Sequence, residues 1–315
     1  MDEVFLLLFL QKKKNPFFLP EALMPESFAA DWLSLREPHD AAARSTALAQ
    51  ALAAILPPRP RLIDLGAGTG SLFRWLAPLL ERPQDWMLAD ADPSLLRRAF
   101  ADIAAWATAR ALPTTSTATR LTIHTQHGAW RIEAEQLDLA APLPSLGLNR
   151  HDAVVCSALL DLVSADWMAA LAATLKKPLL ACLSVDGRDA LRPAHPLDRT
   201  IFAAFRRDQQ RHKGLGLALG PKAPAALRRA FAARGFIVRE ADTPWRIPPE
   251  AAYLLDSLVA SHAAVAARHL PTRRTAIRTW ATQRARQVDR LRLAMRVGHR
   301  DSLALPPGTN WPEER

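Results

Sequence analysis

Cysteine is scarce in this chain: 315 residues contain two, Cys156 and Cys182, each inside an apolar run. So few cannot form a disulfide framework, and the sequence predicts buried thiols on adjacent core strands in a reducing, cytoplasmic setting. Metal-ligand spacing is also missing. His124 and His127 lie three apart, but no cysteine or further histidine joins them. No run is long enough to cross a bilayer; Val4 to Leu10 is continuously apolar for only seven residues. Asp2 and Glu3 precede that run and Lys12, Lys13 and Lys14 follow it, the reverse of the charge order in a signal peptide. Residues 1–23 are therefore read as an extension outside the fold, or as translation upstream of a start at Met24. A peripheral membrane anchor is the remaining reading. No internal repeat is visible.

What is present is ample apolar material and excess positive charge. Hydrophobic residues make up 49% of the chain, enough for one large domain or two small ones, and the formal charge is +10. The arginines are uneven. Residues 268 to 300 hold ten of them against a single acid, Asp289. Such a stretch attracts nucleic acid, anionic lipid or an acidic substrate, or is a solvated helix face. Trp280 is the only aromatic there, which weighs against stacking on single-stranded RNA.

The most informative run is Arg61-Leu-Ile-Asp-Leu-Gly-Ala-Gly-Thr-Gly70. It reads as a buried strand carrying Asp64, a glycine turn at Gly66, Ala67, Gly68 and Gly70, and the start of an amphipathic helix at Ser71. Glycines in such a turn let the backbone approach a ligand closely. The spacing G-x-G-x-G lacks the third glycine position of a dinucleotide fingerprint. A second apolar run, Trp86 to Asp90, ends in an acid 24 residues after Gly66. That is where a βαβ unit places a carboxylate for both ribose hydroxyls, with Ala91 beside it. Asp90 as a mere helix cap is the competing reading, although Asp92 before Pro93 is the better cap.

Alternation continues along the chain. Pro25 to Leu56 read as two helices broken near Pro38, with Pro57, Pro58 and Pro60 ending the second. Helices are expected over Ser71–Leu80, Pro93–Ala109, Ser164–Leu175 and Ala225–Arg234, the last stopping at Gly235. Residues 119–138 carry a hairpin signal around His127-Gly128, and its second arm should serve as the third sheet strand. Asp152–Ser157, Leu179–Leu183, Phe236–Arg239 and His299–Leu305 are the further strands. The pattern predicts an α/β protein with a mostly parallel sheet and helices on both faces. Domain bounds follow: a helical cap over 24–58, a Rossmann-like domain over 59–306, and a tail over 307–315. Residues 186–222 and 244–298 exceed ordinary connections and are read as helical insertions near the mouth of the site.

On the glycine turn with Asp64 and on Asp90-Ala91-Asp92-Pro93-Ser94, the chain resembles class I S-adenosylmethionine-dependent methyltransferases. It also resembles a bacterial group within that class at Leu35-Arg36-Glu37-Pro38 with Asp40, at Ser157 to Val163, at Asp186-Gly187-Arg188 and at Arg296-Val297-Gly298-His299. That group implies no particular acceptor. The resemblance implies a seven-stranded sheet whose last strand runs antiparallel between the fifth and sixth. It implies S-adenosylmethionine as cofactor, held by Asp64, the turn residues, Asp90, Ala91, Ser157, and Asp138 with Leu139 at the adenine. Arg36 is the expected partner of the cofactor carboxylate, or else pairs with Glu37 or Asp40.

Asp161 follows the fourth strand, at the edge where open α/β sheets bind ligands. It is the catalytic candidate, as a base or as the holder of an amine, or else it hydrogen-bonds its own loop. Asp186, Arg188 and His212 are candidate substrate residues, with Lys213 beside them; a solvated helix is the plain alternative for His212 and Lys213. Cys156-Ser157-Ala158-Leu159 stands where methyltransferases of exocyclic base amines carry a proline-rich motif, so a small-molecule acceptor is expected. An RNA or protein methyltransferase using the arginine-rich region, and a non-catalytic binding module, are the alternatives.

Overall fold

The computed structural model describes residues 30–117 and 119–312; the expected extension over 1–23 lies outside them, as do residues 24–29. The described chain opens on α1 (Ala30–Ala43) and α2 (Thr46–Ile55). Pro38 does not break α1, which runs through it. The break falls at Ser45, whose hydroxyl accepts the Leu48 N–H at 3.3 Å as an N-cap, while its own N–H donates to Asp301 at 2.8 Å. The missing donor of one proline is tolerated where tertiary contacts hold a helix; a capping serine with an extended backbone ends one outright.

The alternating pattern then follows. β1 (Arg61–Leu65), α3 (Ser71–Leu80), β2 (Gln84–Asp90) and α4 (Pro93–Thr108) lead into the hairpin of β4 (Arg120–Thr125) and β5 (Gly128–Gln136), extended by β3 (Thr114–Ser116). β6 (Ala153–Ser157), α5 (Ala165–Thr174) and β7 (Leu179–Val185) come next. β8 (Ala190–Arg192) and α6 (Asp198–Gln209) precede α7 (Ala223–Ala232) and β9 (Ile237–Asp242). β10 (Trp245–Ile247), α8 (Ala252–His269), α9 (Arg274–Asp289), β11 (Ala294–Val297) and β12 (His299–Leu305) complete the fold.

One nine-stranded sheet runs in the order β3-β4-β5-β2-β1-β6-β7-β12-β9. Within it, β5 pairs parallel with β2, and β12 lies antiparallel between β7 and β9. The expected seven strands are all there; the hairpin adds two more, because β4 and β3 continue past the third strand. Cys156 and Cys182 sit on the neighbouring strands β6 and β7 as free buried thiols.

Side chains alternate between two cores. On one face Leu62, Leu88 and Leu180 meet α2, α3 and α4; on the other Ile63, Val154 and Ala181 meet α5 and α7. The segments expected as helical insertions also carry strands: β10, β11 and β8 form a separate three-stranded antiparallel sheet. With α6, α8 and α9 it builds a third core around Ile201, Trp245, Leu255 and Trp280, into which α1 inserts Trp32. Arg284 is buried there on Asp198 at 2.7 Å. Near the end of the described chain, the guanidinium of Arg239 lies 4.2 Å from the centre of the Trp311 ring. No helix among the described residues is long and apolar enough to cross a membrane.

Candidate functional site

A cavity of about 930 Å³ opens at the carboxyl ends of β1, β2, β5 and β6. Its roof is α1, through Leu33, Arg36 and Asp40, together with Lys213, Gly214 and Leu215. The glycine turn is its floor. Gly66, Gly68 and Gly70 have φ of 67°, 55° and 77°, a left-handed backbone that side chains resist. A Cβ on Gly70 would stand 2.9 Å from Ile103 of α4, and one on Gly68 would stand 3.2 Å from Leu33 of the roof. The amides of this turn are largely committed within the protein. Ala67 donates to Ala89, Gly70 to Ala67, and Gly68 to the Asp90 carboxylate at 2.8 Å.

Asp64 is 1% exposed, and neither of its carboxylate oxygens has a hydrogen-bond partner among the described residues. Burial pushes its carboxyl up to about 8; the nearby Arg44 guanidinium opposes this, and Asp90 adds to it. Asp90 accepts the Asp92 N–H at 3.0 Å with its other oxygen. Burial raises its carboxyl above the usual range, and the backbone donors pull it down. The cap of α4 is Asp92, which accepts the Ser94 N–H at 2.7 Å.

Ala91, Asp138, Leu139 and Ser157 line the cavity with the turn residues. Asp138 accepts the Ala140 N–H at 2.8 Å, and the Leu139 carbonyl accepts the Trp167 indole N–H at 2.8 Å. Gln136, passed over in the sequence, also lines the cavity and donates to the Ala91 carbonyl at 3.1 Å. Arg36 is at the cavity, but two of its donors go to Asp40 at 2.9 and 3.1 Å, so the intrahelical pair forms. Glu37 pairs instead with Arg74, which also donates to the Thr69 carbonyl at 2.6 Å and so ties roof to floor.

Arg44 is the functional neighbour that sequence reasoning missed. It is buried, and its Nη2 donates to the hydroxyls of Ser71 at 3.0 Å and Ser157 at 3.1 Å, both on the cavity wall. The available signal was its isolation: it is the only charged residue between Asp40 and Arg59.

The expected catalytic and substrate residues are placed differently. Asp161 is half-buried and not among the lining residues; its carbonyl accepts the Gly220 N–H at 2.9 Å. Asp186 and Arg188 also lie off the cavity. They pair with each other, and Arg188 reaches Asp242 at 2.8 Å, because the turn after β7 packs on the β11–β12 junction at Gly298. His212 is exposed and accepts the Gly214 N–H at 3.3 Å, and it is Lys213 that faces the cavity. Residue 161 and its neighbours instead clamp that loop, since Leu219 N–H donates to Val163 and Ser164 N–H to Leu215.

No family model matches the chain. A 92-residue stretch is 42% identical to the biotin biosynthesis bifunctional protein BioCD of Bordetella avium (strain 197N), and covers 27% of this chain and 19% of that protein. The match thus spans about a fifth of the relative's length. Among solved structures, a cyclopropane-fatty-acyl-phospholipid synthase-like protein from Lactobacillus casei ATCC 334 superposes with a TM-score of 0.43 at 15% identity, over 84% of this chain and 98% of that one. A methyltransferase from Geobacter sulfurreducens, in complex with S-adenosyl-L-homocysteine, gives 0.40 at 15% identity, over 87% and 97%. With such low scores, neither superposition extends what the strand order itself displays. In its glycine turn and in the antiparallel strand inserted between the fifth and sixth, the chain is similar to class I S-adenosylmethionine-dependent methyltransferases.

Proposed function

We propose that the chain is an S-adenosylmethionine-dependent methyltransferase acting on a small-molecule acceptor. The observation that carries this reading is Asp64, a carboxylate buried at a cavity wall with both oxygens unmatched. A buried acid without a partner is costly, and a cationic ligand group removes the cost. The cofactor's ammonium is such a group. Asp90 keeps acceptor capacity for ribose hydroxyls, since each of its oxygens takes one backbone N–H and has a second lone pair. Asp138, Gln136 and Leu139 then border the adenine.

The cofactor supplies an electrophilic methyl carried on a sulfonium. The chain's part is positioning, which alone carries much of an in-line displacement. Arg44 fixes the Ser71 and Ser157 hydroxyls at the amino-acid end, and the Arg74–Glu37 pair fixes α1 above the turn. A proton acceptor is required only if the nucleophile arrives protonated.

The RNA or protein reading rests on the arginines of residues 268–300. None of them lines the cavity, and Trp280 is buried with its indole N–H on Asp198 at 2.8 Å, so the small-molecule reading is preferred. Calorimetry with S-adenosylmethionine, S-adenosylhomocysteine and NAD is the first test. A labelled-methyl screen of cell extract, split into small-molecule, protein and RNA fractions, is the second. Binding of NAD without S-adenosylmethionine would overturn the proposal, and label confined to RNA or protein would overturn its acceptor class.

A further inference from the structure

The arginines on and beside α9 face solvent without counter-charges. Arg273, Arg274, Arg278, Arg286, Arg290 and Arg292 are exposed, and none has a side-chain hydrogen bond or ion pair among the described residues. Several exposed arginines elsewhere do hold carboxylates: Arg98 pairs with Asp102 at 2.7 Å, Arg228 with Glu240 at 2.7 Å and Arg188 with Asp242 at 2.8 Å. The single acid in residues 268–300 is Asp289.

The unmatched charges are ordered. Arg274, Arg278, Arg286 and Arg290 fall at multiples of four along α9, a ridge about 24 Å long. It crosses the side of the helix left open by the buried stripe of Ile277, Trp280, Arg284 and Val288. Helix stability does not explain this order. Arg274 with Arg278, and Arg286 with Arg290, are like charges four residues apart, which repel. Arg273 and Arg274 stand at the N-terminus of α9 with no acid in the first turn, where the macrodipole favours negative charge.

We propose that α9 is a docking face for the phosphate backbone of a nucleic-acid duplex, apart from the cavity, to which α9 contributes no lining residue. From Arg273 to Arg292 the chain presents about one guanidinium per 5 Å, against one phosphate per about 3.4 Å of a strand. Guanidinium forks suit phosphate oxygens, which they bind bidentately. A duplex fits better than a single strand, because Trp280, the only aromatic in residues 268–300, is buried and offers no ring to a base. A bilayer fits less well, because Ile277, Trp280 and Val288 face the third core and leave no apolar face to insert. The docking face is independent of the methyl-transfer reading.

The test is fluorescence anisotropy of the full chain with labelled RNA and DNA duplexes of one sequence. Unlabelled duplex, vesicles of phosphatidylglycerol and phosphatidylcholine, and polyglutamate serve as competitors. A duplex should bind, and its affinity should fall at least about tenfold between about 50 and 200 mM salt. Arg278→Gln, Arg286→Gln and Arg290→Gln combined should weaken binding at least about tenfold and lower the log–log salt slope by about 2–3. Lys at the same three positions should keep the slope, because the charge is kept. Arg97→Gln, Arg229→Gln and Arg234→Gln combined remove the same net charge from exposed positions outside α9, and should change the slope by less than about 1. Thermal unfolding checks that the variants are folded. Tighter binding of one duplex names the source of the phosphates. Absence of duplex binding would overturn the proposal, as would equal losses in the two Gln variants. Stronger competition by vesicles or polyglutamate than by unlabelled duplex would overturn it too.

Discussion

The Asp40 carboxylate accepts the indole N–H of Trp245 at 2.9 Å, across 205 positions of sequence. This bond joins α1, the roof of the cavity, to the small sheet built by the long segments after β7 and β9. The Arg36 guanidinium lies 5.0 Å from the centre of the same indole, so Trp245 supports both members of the roof pair. Trp245→Phe keeps the ring and removes the donor. It should cost about 1–3 kcal/mol in urea unfolding, because a buried acceptor loses a partner. It should also weaken S-adenosylhomocysteine binding measurably. An unchanged affinity would show that the roof holds its place without the small sheet.

Asp64→Asn should separate binding from stability. Cofactor affinity should fall at least about tenfold, a loss of about 1.4 kcal/mol, because the ammonium loses its counter-charge. Thermal stability should hold or rise, since a buried carboxyl without partners is replaced by a neutral amide. A variant with wild-type affinity would take Asp64 out of the site.

The same carboxyl imposes a pH dependence. In the folded chain it is pushed up to about 8, whereas unfolded aspartate titrates near about 3.9. The folded state therefore holds the extra proton, so this group favours folding fully below about pH 4 and loses that contribution as pH rises through about 8. Urea unfolding of the unliganded chain across this range should show a decline that Asp64→Asn flattens. Parallel profiles for the two proteins would contradict the assignment.

Asp90→Ala should weaken cofactor binding by about 1.5–3 kcal/mol through lost charge-assisted hydrogen bonds. It should also lower stability, since Gly68 and Asp92 each lose the acceptor of an N–H. Calorimetry and denaturant unfolding read the two effects apart. A stability loss with no change in affinity would confine Asp90 to holding the turn.

Asp301 is fully buried in β12 and accepts from Leu183 N–H at 2.7 Å, Thr243 Oγ1 at 2.9 Å and Ser45 N–H at 2.8 Å. It fastens the N-terminus of α2 to β7 and to the residue after β9. Asp301→Ala strands three donors and should cost about 3 kcal/mol or more. A loss below about 1 kcal/mol in urea unfolding would mean that water replaces the carboxylate.

Much of this protein was legible locally. The turn from β1 to α3, the cap at Asp92, the helix start at Ser164 and the hairpin over 119–138 each depend on residues within a few positions of one another. Hydrophobic period, glycine conformation and capping hydrogen bonds all operate over that range, so the elements and the glycine turn could be read in advance, whereas the place of β12 between β7 and β9 was implied by the family resemblance. Charge partners could not be read in advance. Arg36 takes Asp40 and not Glu37, Arg188 takes Asp186 and Asp242, and Arg44 reaches across to Ser71 and Ser157, because each side chain pairs with whatever the folded chain sets beside it. Long polar side chains reach in many directions, and desolvation makes one partner decisive only once burial has happened. For that reason the sequence by itself determined the alternating strands and helices and the glycine turn after β1. Only the tertiary structure decided that Asp161 lies off the cavity while Lys213 lines it.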